Sequence, residues 1–361
     1  MNPRSLRRSV HRGSVTLAVV AASALLLGGC AANVPSGAGR GDASSAAAPS
    51  GGFPVTIDNC GTTVTVAAPP ERIVTIKSSA TELVLALGLG DRIVGSAFLD
   101  GQLPAELEKA GASLNVISDF LPGQEAVLGL APDFIYGGWE SNFTADGVGE
   151  RDGLASLGIG SYVSPAACKG AGYVPDPLTF DTVFAEIAEA GAIFGATDAA
   201  AELVAALQNE LAALDPAAAD VAGTSTGAAT GTAAGETTAL WYSSGTTTPY
   251  IGAGIGSPAM IMGAAGLTNV FEDVHDTWTS VGWESVIEAN PSVIVLVDAS
   301  WNTAASKITN LESNPATQEL DAVKNKRYII LPFASTEAGI RNVEAAASII
   351  DQLAALAELD R

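Results

Sequence analysis

The stretch Glu125-Ala126-Val127-Leu128, with Pro132-Asp133-Phe134-Ile135 after it, returns in the second half of the chain as Glu284-Ser285-Val286-Ile287, with Pro291-Ser292-Val293-Ile294 after it. In both copies Glu precedes Pro by seven residues. Each copy reads as a short helix running into a proline and then a buried strand. Two halves built on one plan imply a bilobed protein with a cleft between the lobes. Chance likeness of two βα units is the other reading of the same residues.

Outward from the first copy, Val55–Ile57 and Thr63–Val66 alternate around Asn59-Cys60-Gly61 and predict a hairpin. Ile73–Ile76 predicts a strand, Ala80–Leu87 a helix ended by Gly88, and Ile93–Gly95 the next strand. The β, α, β alternation runs on to about Val163, as in an open α/β sheet. Phe180, Val183, Phe184, Ile187, Gly191 and Phe194 then keep helical spacing up to Gly195. Thr197 is placed to cap a second helix with Val204, Leu207, Leu211 and Leu214 on one stripe. A helix of about 17 residues reaches roughly 25 Å, enough to bridge two lobes. Alternation resumes at Leu240 and ends in a helix from about Val343 to Leu359. The expected fold is α/β, two α/β lobes joined by a long backbone helix. Its expected parts are a signal segment 1–29, a flexible tether 30–52, an N-terminal lobe 53–178, linking helices 179–214, a low-complexity loop 215–238 and a C-terminal lobe 239–361.

The N-terminus has its own chemistry. Arg4, Arg7, Arg8 and Arg12 precede an apolar run from Val15 to Leu27 that is too short to span a bilayer stably. Leu27-Gly28-Gly29-Cys30 closes it and resembles the lipobox of bacterial lipoproteins. That resemblance implies cleavage before Cys30, lipid on its sulfur, and a protein tethered outside the cytoplasmic membrane by lipid alone. An ordinary signal peptide with an incidental cysteine is the other reading. Four of the 17 Lys and Arg lie before Cys30 and none of the 39 acids do, so the remaining chain has 13 − 39 = −26 formal charges. Such a surface repels nucleic acid, and no nucleic-acid partner is expected. With Cys30 lipidated, Cys60 and Cys168 remain as an even pair in an oxidising compartment. They are expected to form a disulfide, with two free thiols as the alternative.

Phe53-Pro54-Val55-Thr56-Ile57, Pro70-Glu71-Arg72-Ile73-Val74 and Ser79-Ala80-Thr81-Glu82-Leu83 resemble the start of the iron-siderophore and cobalamin class of substrate-binding proteins. The internal repeat and the linking helix are similar to the same family, over about residues 53–358. The resemblance implies two lobes of the class III periplasmic-binding-protein kind, no catalysis and no resident cofactor. It also implies a monomer that delivers a small-molecule ligand to an ABC permease dimer with its ATPase subunits. Cys60-Gly61-Thr62-Thr63-Val64, Val74-Thr75-Ile76-Lys77-Ser78, Gly138-Trp139-Glu140-Ser141-Asn142 and Trp241-Tyr242-Ser243-Ser244-Gly245 resemble, within that family, an actinobacterial group of carriers of the deazaflavin coenzyme precursor. That precursor is coenzyme factor 420 lacking its glutamate tail. Ferric siderophore, cobalamin and haem are the alternative cargoes of the family.

Several aromatic residues fall at loop positions: Phe98, Phe120, Trp139, Trp241, Tyr242, Tyr250, Trp278 and Trp301. Their faces suit a flat conjugated ligand by offset stacking, with core packing as the competing role for each. Trp278 lies six residues before Glu284, an offset that matches a cap tryptophan in cobalamin carriers. Lys77 ends the first strand beside Ser78, Ser79 and Thr81 at a helix start, an arrangement friendly to anions. Arg341 follows the loop 333–339, which matches a ligand-contacting loop of the family, and Lys169 follows Cys168. Lys77 and Arg341 are expected to hold a phosphate or carboxylate of a planar anion, with surface solvation as the other reading. Glu140 completes the expected ligand-binding set; Asp100, Glu140 and Asp298 alike read as hydrogen-bonding or solvated residues rather than metal ligands.

A zinc or manganese site is not expected, because His275 is the lone histidine after Cys30 and such sites cluster imidazoles. Haem held by one axial ligand, His275 or a tyrosine, stays open. Gly223-Thr224-Ser225-Thr226-Gly227 matches a hydrolase nucleophile elbow as a string, but its flanks are Ala, Thr and Gly filler rather than a strand and a helix. A secreted hydrolase is the distant alternative. Glu125 and Glu284 open the short helix of each repeat. The resemblance implies that they meet arginines on the two permease subunits; helix capping is the plainer reading.

Overall fold

A computed structural model describes residues 52–215 and 237–359. The signal segment 1–29, Cys30, nearly all of the tether, most of the low-complexity loop and the Gly223–Gly227 string lie outside the described residues. Among the described residues no helix is long and apolar enough to cross a membrane.

The chain enters through a hairpin of β1 (Val55–Asn59) and β2 (Thr62–Val66). Val55, Ile57, Val64 and Val66 face the core while the threonines between them face water, the period-2 pattern of a half-buried ribbon. Its two-residue turn needs positive φ at both positions, and Cys60 (52°) and Gly61 (79°) supply it. The sheet that follows is all parallel: β3 (Ile73–Ile76), β4 (Ile93–Ala97), β5 (Val116–Ser118), β6 (Phe134–Gly137) and β7 (Gly160–Val163). Their spatial order is β5-β4-β3-β6-β7. The chain therefore winds outward one way from β3 and then restarts on its other side. In an open parallel sheet the crevice at such a switch, beyond the C-terminal ends of the strands, is where ligands bind.

The second sheet has the order β11-β9-β8-β12-β13, with β10 also paired to β8. Here β8 (Thr237–Ser244), β10 (Leu267–Asn269), β12 (Val293–Asp298) and β13 (Tyr328–Pro332) pair in parallel, while β9 (Tyr250–Gly252) alone is reversed and pairs antiparallel with both β8 and β11 (Trp278–Ser280). Both sheets are covered on both faces, which is why β3 and Val293–Val297 of β12 are buried without a break. α1 (Ser78–Ala86) packs with the first sheet. α6 (Ser257–Ala264) and α10 (Asn342–Leu359) cover one face of the second, and α7 (Trp283–Ala289), α8 (Ala304–Ser313) and α9 (Asp321–Lys324) the other.

The repeat occupies equivalent places. α2 (Gln124–Leu128) leads to β6 beside β3, and α7 leads to β12 beside β8. Glu125 and Glu284 are each the second residue of their helix, after a glycine with extended backbone, and both are exposed. Val127 and Val286, Pro132 and Pro291 are buried in step.

The helical link is two helices of 15 and 16 residues, α4 (Phe180–Phe194) and α5 (Thr197–Ala212), packed on each other. Gly195, in the left-handed region, ends α4. Ala196, not Thr197, holds the cap position of α5; Thr197 is its first helical residue. Both helices join the core of the first sheet, and Leu214 beyond α5 reaches the core of the second. Cys60 and Cys168 form a disulfide with Cα atoms 5.2 Å apart, tying the hairpin turn to a segment beyond β7.

Candidate ligand cleft

A cavity of about 1010 Å³ opens between the C-terminal ends of the two sheets. Residues just after β3, β4, β5, β6 and β7 line it from one side, and residues at the end of β8 and just after β12 and β13 from the other. Of the residues expected to bind ligand, Lys77, Ser79, Phe98, Phe120, Trp139, Glu140, Tyr250, Trp278 and Trp301 are brought together in its lining. Phe120 (73% exposed) and Trp301 (62% exposed) offer bare ring faces. Tyr250 and Trp278 stack at 5.9 Å and 14°.

Lys77 stands at the switch between β3 and its neighbours. Its backbone has φ 83°, unusual for a side chain with a Cβ. The residue is 1% exposed, and its ammonium ion-pairs with the carboxylate of Asp100. It also sits 3.8 Å from the Trp139 ring centre, 4.2 Å from that of Phe98 and 5.1 Å from that of Phe333. Ser78 and Asp100 clasp each other: the Ser78 N–H donates to Asp100 Oδ2 at 3.2 Å, and the Asp100 N–H donates to Ser78 Oγ at 2.8 Å. Burial raises the pKa of Asp100, although Lys77 and the Ser78 N–H oppose it. Lys77 thus lines the cavity with its charge already paired to Asp100 rather than as an open cation. Gly138 must be glycine, since a Cβ there would fall 2.8 Å from Lys77 Cβ and from Ser79 Oγ.

Trp139 links the halves. Its indole N–H donates to Glu337 Oε2 at 2.6 Å. Glu337 lies on the segment after β13, and Asn342 pins that segment by donating to Ser335 O (3.1 Å) and Glu337 O (2.7 Å) while accepting from the Gly339 N–H (2.8 Å). Burial raises the pKa of Glu337, with Lys77 and the indole N–H acting against it. Glu140 accepts from the Lys169 N–H at 2.5 Å, and Asp298 Oδ1 accepts from the Ala304 N–H at 2.7 Å at the start of α8.

Four expected ligand residues are not in the lining. Trp241 is wholly buried within β8, in the core between the second sheet and α10. Tyr242 faces the opposite core, its hydroxyl donating to Gly245 O at 2.9 Å and its ring meeting Trp283 edge-on. Both belong to a strand covered on two faces, where consecutive side chains are all interior. Ser78 is buried against Asp100. Arg341 is turned away from the cavity, 3.6 Å from Glu82 and 3.5 Å from Glu344. His275 is exposed, 3.2 Å from Asp176, and outside the lining, so it offers no axial position there; Tyr250 is the lining tyrosine. Among the described residues no group of three or more His, Cys, Asp or Glu side chains could hold a metal ion.

Phe333 and Glu337 are among the lining residues that sequence reasoning does not name. They lie in loop 333–339, which the family resemblance marks as a ligand-contacting loop without singling out either residue. The cavity also receives Asp119 and the exposed Lys169.

The family described as periplasmic binding protein matches residues 73–334. An uncharacterized ABC transporter substrate-binding lipoprotein, YvrC of Bacillus subtilis, is 31% identical over 160 residues, 44% of this chain and 46% of that one, so the match spans under half of that relative. A cobalamin-binding protein of Halobacterium salinarum is 29% identical over 294 residues, 79% of this chain and 69% of that one. The crystal structure of an ABC-type Fe3+-hydroxamate transport system from Saccharomonospora viridis superposes with a TM-score of 0.67 at 28% identity, covering 83% of this chain and 99% of that one.

Proposed function

The chain belongs to the periplasmic binding protein family, and from that premise we propose that it is the substrate-binding component of an ABC importer, capturing a large ligand with a flat conjugated part. The observation that carries this reading is the cavity between two sheet ends, walled by ring faces from both halves. It has the size and aromatic lining of a small-molecule site. The protein acts outside the cytoplasmic membrane, held there by lipid on Cys30, and hands its cargo to a permease through Glu125 and Glu284. The lipoprotein relative supports that placement.

The favoured ligand is the deazaflavin coenzyme precursor. Support comes from the motif resemblance and from the rings of Trp139, Trp278 and Tyr250, which suit a three-ring plane. The second reading, a ferric siderophore, cobalamin or haem, is favoured by the cobalamin-binding relative and the hydroxamate-system structure. The protein is a carrier and not a catalyst. Mass spectrometry of ligand co-purified with the full chain, followed by tryptophan-fluorescence titration, tests the reading. A bound deazaflavin precursor with no turnover is the expected result. A siderophore or corrinoid in its place overturns the favoured ligand and leaves the carrier reading standing.

A further inference from the structure

The charges around the cavity are not distributed as an anion would require. The Lys77 ammonium is taken by Asp100 and covered by Phe98, Trp139 and Phe333. Arg341 is turned to Glu82 and Glu344. The charged side chains left to the cavity are Glu337, Glu140, Asp119 and the exposed Lys169. Glu140 already accepts the Lys169 N–H, and Asp119 is exposed.

Glu337 differs from the other acids in how firmly it is set. Its Oε2 is held by the Trp139 indole, and its backbone is fixed by Asn342. Its other oxygen, Oε1, receives no hydrogen bond among the described residues, and the residue lines the cavity. Glu337 is half-buried, and this oxygen is open to the cavity rather than sealed in; a carboxylate oxygen fixed beside aromatic faces is a site for a ligand N–H, which takes the place of its water in a charge-assisted hydrogen bond. The indole that orients the acid is also a ring on which a plane can stack, so one placement sets both contacts.

We propose that Glu337 is a specificity-determining acceptor, selecting a planar heterocycle whose inner edge carries a ring N–H and leaving any anionic substituent of that ligand toward the outer cavity. The proposal rests on the carrier reading and names the feature of the ligand that the site selects. Trp139 acts as a positioning residue, through its indole N–H, as well as a stacking surface.

Lumiflavin and 3-methyllumiflavin, which differ by one methyl on the ring N–H, are the probes. Both are titrated against the full chain by fluorescence quenching. The wild type is expected to bind lumiflavin at least about tenfold more tightly than its methylated partner, since a site built around an N–H rejects the analogue that lacks it. In Glu337→Ala that preference is expected to vanish. In Trp139→Phe, which keeps a ring and loses the N–H that holds the acid, it is expected to shrink. Equal binding of the two probes by the wild type overturns the proposal, and so does a preference that survives in Glu337→Ala. Both outcomes leave the carrier reading intact. Failure of lumiflavin, haem and cobalamin alike to bind overturns the reading of a flat ligand, and this proposal falls with it.

Discussion

Glu82 and Arg341 face each other at 3.6 Å inside the protein, Glu82 on α1 and Arg341 just ahead of α10. That separation is longer than a hydrogen bond, and neither oxygen of Glu82 has a hydrogen-bond partner. Burial pushes its pKa from 4.5 up to about 8; Arg341 opposes the shift and Asp100 adds to it. Between those two values the folded chain keeps a proton that the unfolded chain releases. Stability should therefore fall as pH rises through this window, and level off above it. Glu186, buried beneath Tyr136 and Ser164 and pushed to about 7, adds in the same direction. Urea unfolding at several pH values is the check. Glu82→Gln is expected to flatten the slope without abolishing it, and an unchanged slope would refute the assignment.

The Cys60–Cys168 bond closes a long loop, with a sequence separation of 108. Reducing it is expected to destabilise the protein by roughly 2–4 kcal/mol. Alkylation of denatured, unreduced protein made in an oxidising compartment should find neither thiol. Two reactive thiols there would contradict the pairing.

Replacing Trp139 or Trp278 with Ala is expected to weaken ligand binding by roughly 1–3 kcal/mol, the scale of lost stacking. Trp139→Ala should be the worse of the two, because it also strips Glu337 of its donor and Lys77 of a ring. Trp241→Ala should behave in the opposite manner. It empties a core position and is expected to lower stability by about 3–5 kcal/mol while leaving the affinity of the folded fraction unchanged. Calorimetry beside a binding titration separates the two effects.

The double change Glu125→Gln and Glu284→Gln removes two exposed charges at helix starts. Loss of a first-turn acid is expected to alter stability by about 1 kcal/mol or less per site. Ligand affinity should hold, while uptake and stimulation of the importer's ATPase should be lost. Transport that survives the pair would make them helix-dipole residues only.

What the sequence made legible was local. The repeat could be read because burial alternates in the same step around Val127 and Val286, and because proline marks the entry to each strand. The hairpin could be read because its turn and its alternation lie within a dozen residues. What stayed illegible were pairings that no local pattern encodes. Lys77 looked like an open cation because Asp100, which neutralises it, lies beyond the next strand. Arg341 looked free for the ligand because its partner Glu82 sits in the other half of the chain. Trp241 and Tyr242 read as loop aromatics beside Ser243-Ser244-Gly245, yet they lie inside a strand covered on both faces. Glu337 carried a signal only through its loop, since its own contact depends on an indole 198 residues away.

The strands of the first sheet, the switch point and both cysteines of the disulfide are all encoded by the time Cys168 is reached. Phe333, Glu337 and Arg341, which cover and orient that switch point, come from the last segment before α10. A chain that emerges N-terminus first thus carries the pieces of one wall early and receives the wall's covering groups only after the last strand of the second sheet. Product truncated before Phe333 would retain every strand of the first sheet yet leave Lys77 without one of its rings, Glu82 without its arginine and Trp139 without its acid. The cover over this wall is in this sense acquired only after both sheets have been made.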